Sequence, residues 1–179
     1  MDTNNLKKFA QAARILLIDQ VSSKLDMVLD TASAARRENP EAVKDLEGAI
    51  RKTDKSQVIE KVAYTWFNRF TALRFMDANG YTSIQVVSPT EGQTRPEILS
   101  EAMAGHIDDS VAAPIKEQVV ALLDGRSPSS DPQGEAYRLL LVASCNHWHG
   151  PMPFLFDKID DYTRLLMPED LLSPNSILA

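Results

Sequence analysis

The sequence predicts an all-α protein. Apolar residues recur at i, i+3 and i+4 through most of the chain, and the stretches between them carry helix caps and breakers. One short segment, residues 83 to 88, has the β-branched character of a strand. We therefore expect an irregular multi-helix domain of about seven helices with at most one short β-hairpin.

A first helix is expected from about residue 4 to residue 29. Leu6, Phe9, Ala10, Ala13, Leu16, Leu17 and Val21 form one stripe, which Lys24 interrupts. Asn39-Pro40-Glu41 combines an N-cap residue, a proline preset for the first helical position and an acid suited to the positive helix end. A short helix should follow to about residue 51. Asp54 to Gln57 has the spacing of a capping box and starts a long aromatic helix, which Asn79-Gly80 ends because glycine adopts the left-handed C′ conformation without strain.

On that long helix Ile59, Val62, Ala63, Trp66, Phe70 and Leu73 share a face, and Trp66, Phe70 and Leu73 are assigned to the structural core. Tyr64, Asn68 and Phe75 lie opposite, so the helix is expected to touch neighbours on two sides. Arg69 and Arg74 flank the first stripe and are expected at its rim, their stems covering apolar surface. Residues 83 to 88 would form a small hairpin or an extended edge, followed by a polar loop over residues 89 to 95. Pro96 opens a short helix to about residue 104. Residues 114 to 124 form another, with Ile115, Val119, Leu122 and Leu123 inward and Gly125 as the stop. The run from Arg126 to Pro132 is the best linker, dividing a helical subdomain over residues 1–126 from a helical extension over residues 127–179. Asp131-Pro132 caps a helix to about residue 146, and Gly150, Pro151 and Pro153 break it. A last short helix is expected over residues 157 to 166, with Ile159, Tyr162 and Leu166 on one side.

Composition sets the class. A chain of 179 residues makes one domain or two small subdomains and buries roughly 70% of its unfolded surface. No apolar run approaches the roughly 20 residues of a membrane span, and the first residues lack the charged start and apolar stretch of a signal peptide. A lone cysteine, Cys145, excludes an internal disulfide and fits a reducing cytoplasm. The net charge of −6 is unevenly spread: residues 1–81 hold 13 Lys+Arg against 11 Asp+Glu, residues 82–179 hold 6 against 14. Any contact with phosphate is expected in the first half, where the candidate DNA-contact residues are Lys7, Lys8, Arg14, Arg36, Arg37, Arg51, Lys52 and Lys55.

Catalytic groups are not apparent. Cys145, His147 and His149 are soft or borderline metal ligands, but residues i and i+2 of a helix diverge and a fourth ligand is lacking, the remaining histidine being His106. No metal site is expected. Cys145 lacks the arranged base that a thiolate nucleophile needs. The adjacent carboxylates Asp108-Asp109 and Asp160-Asp161 point apart and make no acid/base couple. Glycines are scattered singly, so there is no glycine-rich phosphate or cofactor loop.

Two runs carry a resemblance. WFNRFTALRFMDANGY, residues 66 to 81, and CNHWHGPMPFLFDKIDDYTRLLMPEDLLSPNSIL, residues 145 to 178, resemble in order the N-terminal region of PglX, the adenine-specific DNA methyltransferases of BREX phage-defence systems. The resemblance implies an N-terminal helical domain of a cytoplasmic, S-adenosylmethionine-dependent adenine-N6 DNA methyltransferase. Such a domain would support a catalytic core and one wall of a DNA channel. Enzymes of that type resemble one another in an Asn/Asp-Pro-Pro-Tyr/Phe loop and a glycine-bearing cofactor loop. Neither occurs here, so the chain itself is expected to hold no catalytic, cofactor-binding or metal-binding residues and to be a fragment of a longer polypeptide. Implied partners are double-stranded DNA, bound weakly and through the parent enzyme, and other BREX proteins, with no membrane. Alternatives are a protein–protein docking module for BREX partners or a phage-encoded inhibitor, and a free-standing helical protein.

Overall fold

Helix α1, Thr3–Leu29, buries Ala13, Leu17, Val21, Leu25 and Val28, spaced at i+4 and i+3 as one face of a helix demands. The computed structural model describes residues 3–157, 159 and 161–178. Among them are eight helices, no sheet and no barrel, so the fold is all-α. The chain divides into two units: residues 1–68 with 159–169, and residues 69–158 with 170–179.

In the first unit the α1 stripe is covered only from Ala13 onward. Leu6 and Phe9, expected in the same stripe, are 61% and 56% exposed. Ser33 caps the short helix α2, Ala34–Glu38, by accepting from the Arg36 amide. Helix α3, Pro40–Lys52, starts at the proline as its rigid φ favours, yet the Asn39 side chain makes no capping bond. Its Ala42, Val43 and Leu46 are buried. Helix α4, Lys55–Ala78, begins with Asp54 accepting from the Gln57 amide at 2.8 Å. The Gln57 side chain returns to the other Asp54 carboxylate oxygen at 2.9 Å rather than to its backbone. Within this unit α4 buries Val58, Ile59, Val62, Ala63 and Trp66. The Trp66 indole N–H donates to the Thr163 carbonyl at 3.1 Å, which satisfies the one polar atom of a fully buried ring. Thr163 lies in helix α8, Asp161–Leu165, which is shorter than the expected 157–166. Lys158 and Asp160 lie outside the described residues, and with them the expected Asp160-Asp161 pair.

In the second unit α4 continues with Phe70, Ala72, Leu73 and Met76 buried. Gly80, at φ +66°, closes the helix: its amide bonds the Asp77 carbonyl and the Tyr81 amide bonds the Met76 carbonyl. Gly125, at φ +71°, ends α6, Ala113–Leu123, with the corresponding pair of bonds to Leu122 and Ala121. Helix α7, Pro132–His149, packs against α6 and against α5, Glu97–Met103. Asp131 caps α7 by accepting from the Gly134 amide at 3.0 Å. The α7 residues Tyr137, Leu140 and Leu141 are fully buried, as are Leu99, Val119 and Phe156. The loop from Arg126 to Asp131 lies within this unit, where the Arg126 and Ser127 amides both bond the Ala121 carbonyl.

Three expectations change. Residues 83 to 88 form no strand; the one ladder-like feature nearby is an isolated antiparallel bridge between Pro89 and Pro96. Tyr64 and Phe75 are not buried against a second helix but are 69% and 60% exposed, Phe75 meeting only the Tyr81 ring edge-on, with centroids 6.0 Å apart, among the described ring contacts. Arg69 does not line a rim: it is buried and donates to the Asp157 carbonyl at 2.6 Å.

Candidate nucleic-acid interface

The eight basic candidates all lie in the first unit, but they do not form one patch. Lys7 and Lys8 are exposed near the start of α1. Arg36 reaches the other end of that helix, donating from Nη2 to the Leu29 carbonyl at 2.9 Å and from Nε to the Asp30 carbonyl at 3.1 Å. At 1.5 Å per residue these two places are about 30 Å apart along α1.

Several candidates are already engaged. Arg36 also pairs with Glu47 at 2.8 Å, so it tethers α2 to α3 and satisfies the open carbonyls at the C-terminus of α1. Arg14 pairs with Glu60 at 3.2 Å and Lys55 with Asp26 at 2.5 Å. Lys24, outside the candidate set, pairs with Glu169. Among the described residues, Lys7, Lys8, Arg37, Arg51 and Lys52 are exposed and make no ion pair. Of the eight candidates, these five remain for the proposed phosphate contact. The units also partition charge differently from the halves of the sequence. Because residues 159–169 return to the first unit, it holds 12 Lys+Arg against 13 Asp+Glu, while the second holds 7 against 12. The first unit is thus nearly neutral overall with local basic sites, and the second is acidic.

The arrangement the sequence did not disclose is the loop after α4. Asp77, in the last turn of that helix, is 3% exposed. Its Oδ1 accepts from the Val86 amide at 2.9 Å and from the Thr82 hydroxyl at 3.1 Å. Its Oδ2 accepts from the Val87 and Ser88 amides, each at 2.9 Å. Glu97 accepts from the Gln85 amide at 2.7 Å, and the Tyr137 hydroxyl donates to the Val86 carbonyl at 3.1 Å. Arg74 donates to the Ser88 hydroxyl at 3.0 Å. Side chains thus take the place of a partner strand, which is why β-branched residues here make no ladder. One signal was present: an acid in a helix's last turn opposes the helix dipole and implies donors elsewhere.

Cys145 is 1% exposed, and burial pushes its thiol up to about 12, away from thiolate chemistry. Burial likewise raises the Tyr137 hydroxyl far above its ordinary range. Hydrogen bonds from Ser110 hold the Asp108 carboxyl below its usual value. His149 directs Nδ1 at the Phe156 carbonyl, 2.7 Å away, and the His147 ring meets Trp148 edge-on. Among the described residues no three of His, Cys, Asp and Glu are placed to share a metal ion, and no helix is long and apolar enough to cross a membrane.

The chain is thus all-α, with side-chain-bonded loops and scattered cations. No protein-family profile matches it. It is, however, similar to the adenine-specific methyltransferase BrxX of Escherichia coli O9:H4 (strain HS), with 31% identity over 99% of this chain and 16% of the relative. It is also similar to the adenine-specific methyltransferase PglX of Lacticaseibacillus casei (strain Zhang), with 30% identity over 93% of this chain and 16% of that relative. The chain matches the N-terminal part of these PglX/BrxX methyltransferases and spans 16% of their length.

Proposed function

We propose that this chain is the N-terminal helical domain of an S-adenosylmethionine-dependent adenine-N6 DNA methyltransferase of a bacterial BREX phage-defence system. In this reading it supports the catalytic core and DNA channel and is not catalytic alone. The observation that carries it is the match of nearly the whole chain to 16% of two adenine-specific methyltransferases. The domain's own residues fit a supporting part. They include no amino-holding Asn/Asp-Pro-Pro-Tyr/Phe loop and no glycine-rich loop, and the one thiol is buried.

Methyl transfer to duplex DNA tests the reading. The native gene product should transfer labelled methyl groups from S-adenosylmethionine to adenine, and residues 1–179 alone should transfer none and show no calorimetric cofactor binding. Micromolar cofactor binding by the 179-residue chain would overturn the assignment of a non-catalytic support.

DNA contact by this segment is expected to be weak and non-specific, no tighter than about 10⁻⁴–10⁻⁶ M at physiological salt. Reversing Lys7, Lys8, Arg37, Arg51 and Lys52 to glutamate should abolish it. The alternative is a protein–protein docking module, which the acidic second unit and its exposed apolar residues favour. Docking should survive salt that removes DNA, so an anisotropy titration at two salt concentrations separates the readings.

A further inference from the structure

The turn after α7 holds apolar residues out in water. Phe154 is 84% exposed, Leu155 is 38% exposed, and Pro151 and Pro153 beside them are exposed as well. The loop beneath is well tied. The Met152 amide bonds the Trp148 carbonyl at 2.9 Å, and the Met152 carbonyl accepts from the Leu155 and Phe156 amides at 3.1 and 3.0 Å. Phe156 is fully buried, and its carbonyl receives His149 Nδ1 at 2.7 Å. Two prolines further restrict the backbone. A bonded loop with one buried and one projecting phenylalanine is preorganised, so seating Phe154 in a partner pocket would lose little conformational entropy.

We infer that Phe154, with Leu155, Pro151 and Pro153, is the anchor by which this domain docks onto the polypeptide that follows it in the parent methyltransferase. The inference rests on the proposed function. Three observations select that occupant. The relatives carry most of their length outside the matched 16%, so a large covalently attached surface is at hand. The loop belongs to the unit that holds 7 Lys+Arg against 12 Asp+Glu, which disfavours a phosphate backbone. The exposed groups are apolar and carry no charge, as in the desolvated centre of a lasting interface.

Hydroxyl-radical footprinting of the native gene product and of the 179-residue chain tests it, because side-chain oxidation reads exposure directly. Phe154 should be oxidised several-fold more slowly in the longer protein. Phe154→Asp should leave the thermal midpoint of the 179-residue chain unchanged. In the longer protein it should accelerate proteolysis between this domain and the rest. An equal Phe154 rate in a longer product that methylates DNA would overturn the docking and leave the proposed function standing. A native product no longer than this chain would overturn both. Protection that grows with the concentration of the 179-residue chain would assign the loop to a second copy. Protection only on adding duplex DNA would assign it to nucleic acid. Either result contradicts the inference.

Discussion

Asp77 faces the negative end of its own helix, an unfavourable place for a carboxylate unless donors converge on it. Here three backbone amides and one hydroxyl do so. Val86 and Val87 are 4% and 2% exposed, so water has little access to replace a lost acceptor. Asp77→Ala should therefore destabilise the protein by at least about 3 kcal/mol, since bonds to a charged group contribute about 1.5–3 kcal/mol each and buried amides would lose their acceptor. Urea unfolding checks this; a change within about 0.5 kcal/mol would mean the loop has other support. Cys145 gives a pH test. Its thiol holds the proton to about 12 in the fold, against an ordinary value of 9.0. The unfolded chain loses that proton first, so stability should fall as pH rises through that window. The loss should be smaller in Cys145→Ala, compared at matched pH by urea midpoint, and what remains should begin at higher pH, where the buried Tyr137 hydroxyl makes the same kind of contribution.

At the scale of elements, much was legible because the signals are local. Asp131-Pro132 before α7, Pro40 at the start of α3, and Gly80 and Gly125 after α4 and α6 act within a turn of where they stand. What was illegible depends on residues far apart in sequence. Residues 83 to 88 look like a strand, but Asp77 satisfies their amides from up to 11 residues away. Leu6 and Phe9 continue a helical stripe that no other described element covers. The basic candidates were legible as charges, while their partners Glu60, Glu47 and Asp26 were not, the first lying 46 residues from Arg14. Helix α4 is the element whose reading rests most on burial. Trp66→Ala removes a fully buried ring and its bond to Thr163, so it should cost about 3–5 kcal/mol. A thermal midpoint unchanged within a couple of degrees would contradict that placement.

At the scale of the whole molecule, the sequence suggested a basic first half and an acidic second half, and the folded units soften this contrast. The return of residues 159–169 to the first unit brings Glu169 to Lys24 and leaves that unit near neutrality. The candidate cations without an ion pair are few, and Lys7 and Lys8 lie far along α1 from Arg37, so the proposed DNA contact of this segment alone is expected to be weak. The resemblance read from the two aromatic and proline-bearing runs agrees with the similarity to BrxX and PglX methyltransferases along nearly the whole chain. On that similarity rests the proposal of a supporting domain within a longer polypeptide. The most direct measurement is the intact mass of the native gene product in its source cells. The account predicts a single polypeptide about six times this length, as the 16% share of the relatives implies. A product near 19.9 kDa would contradict it.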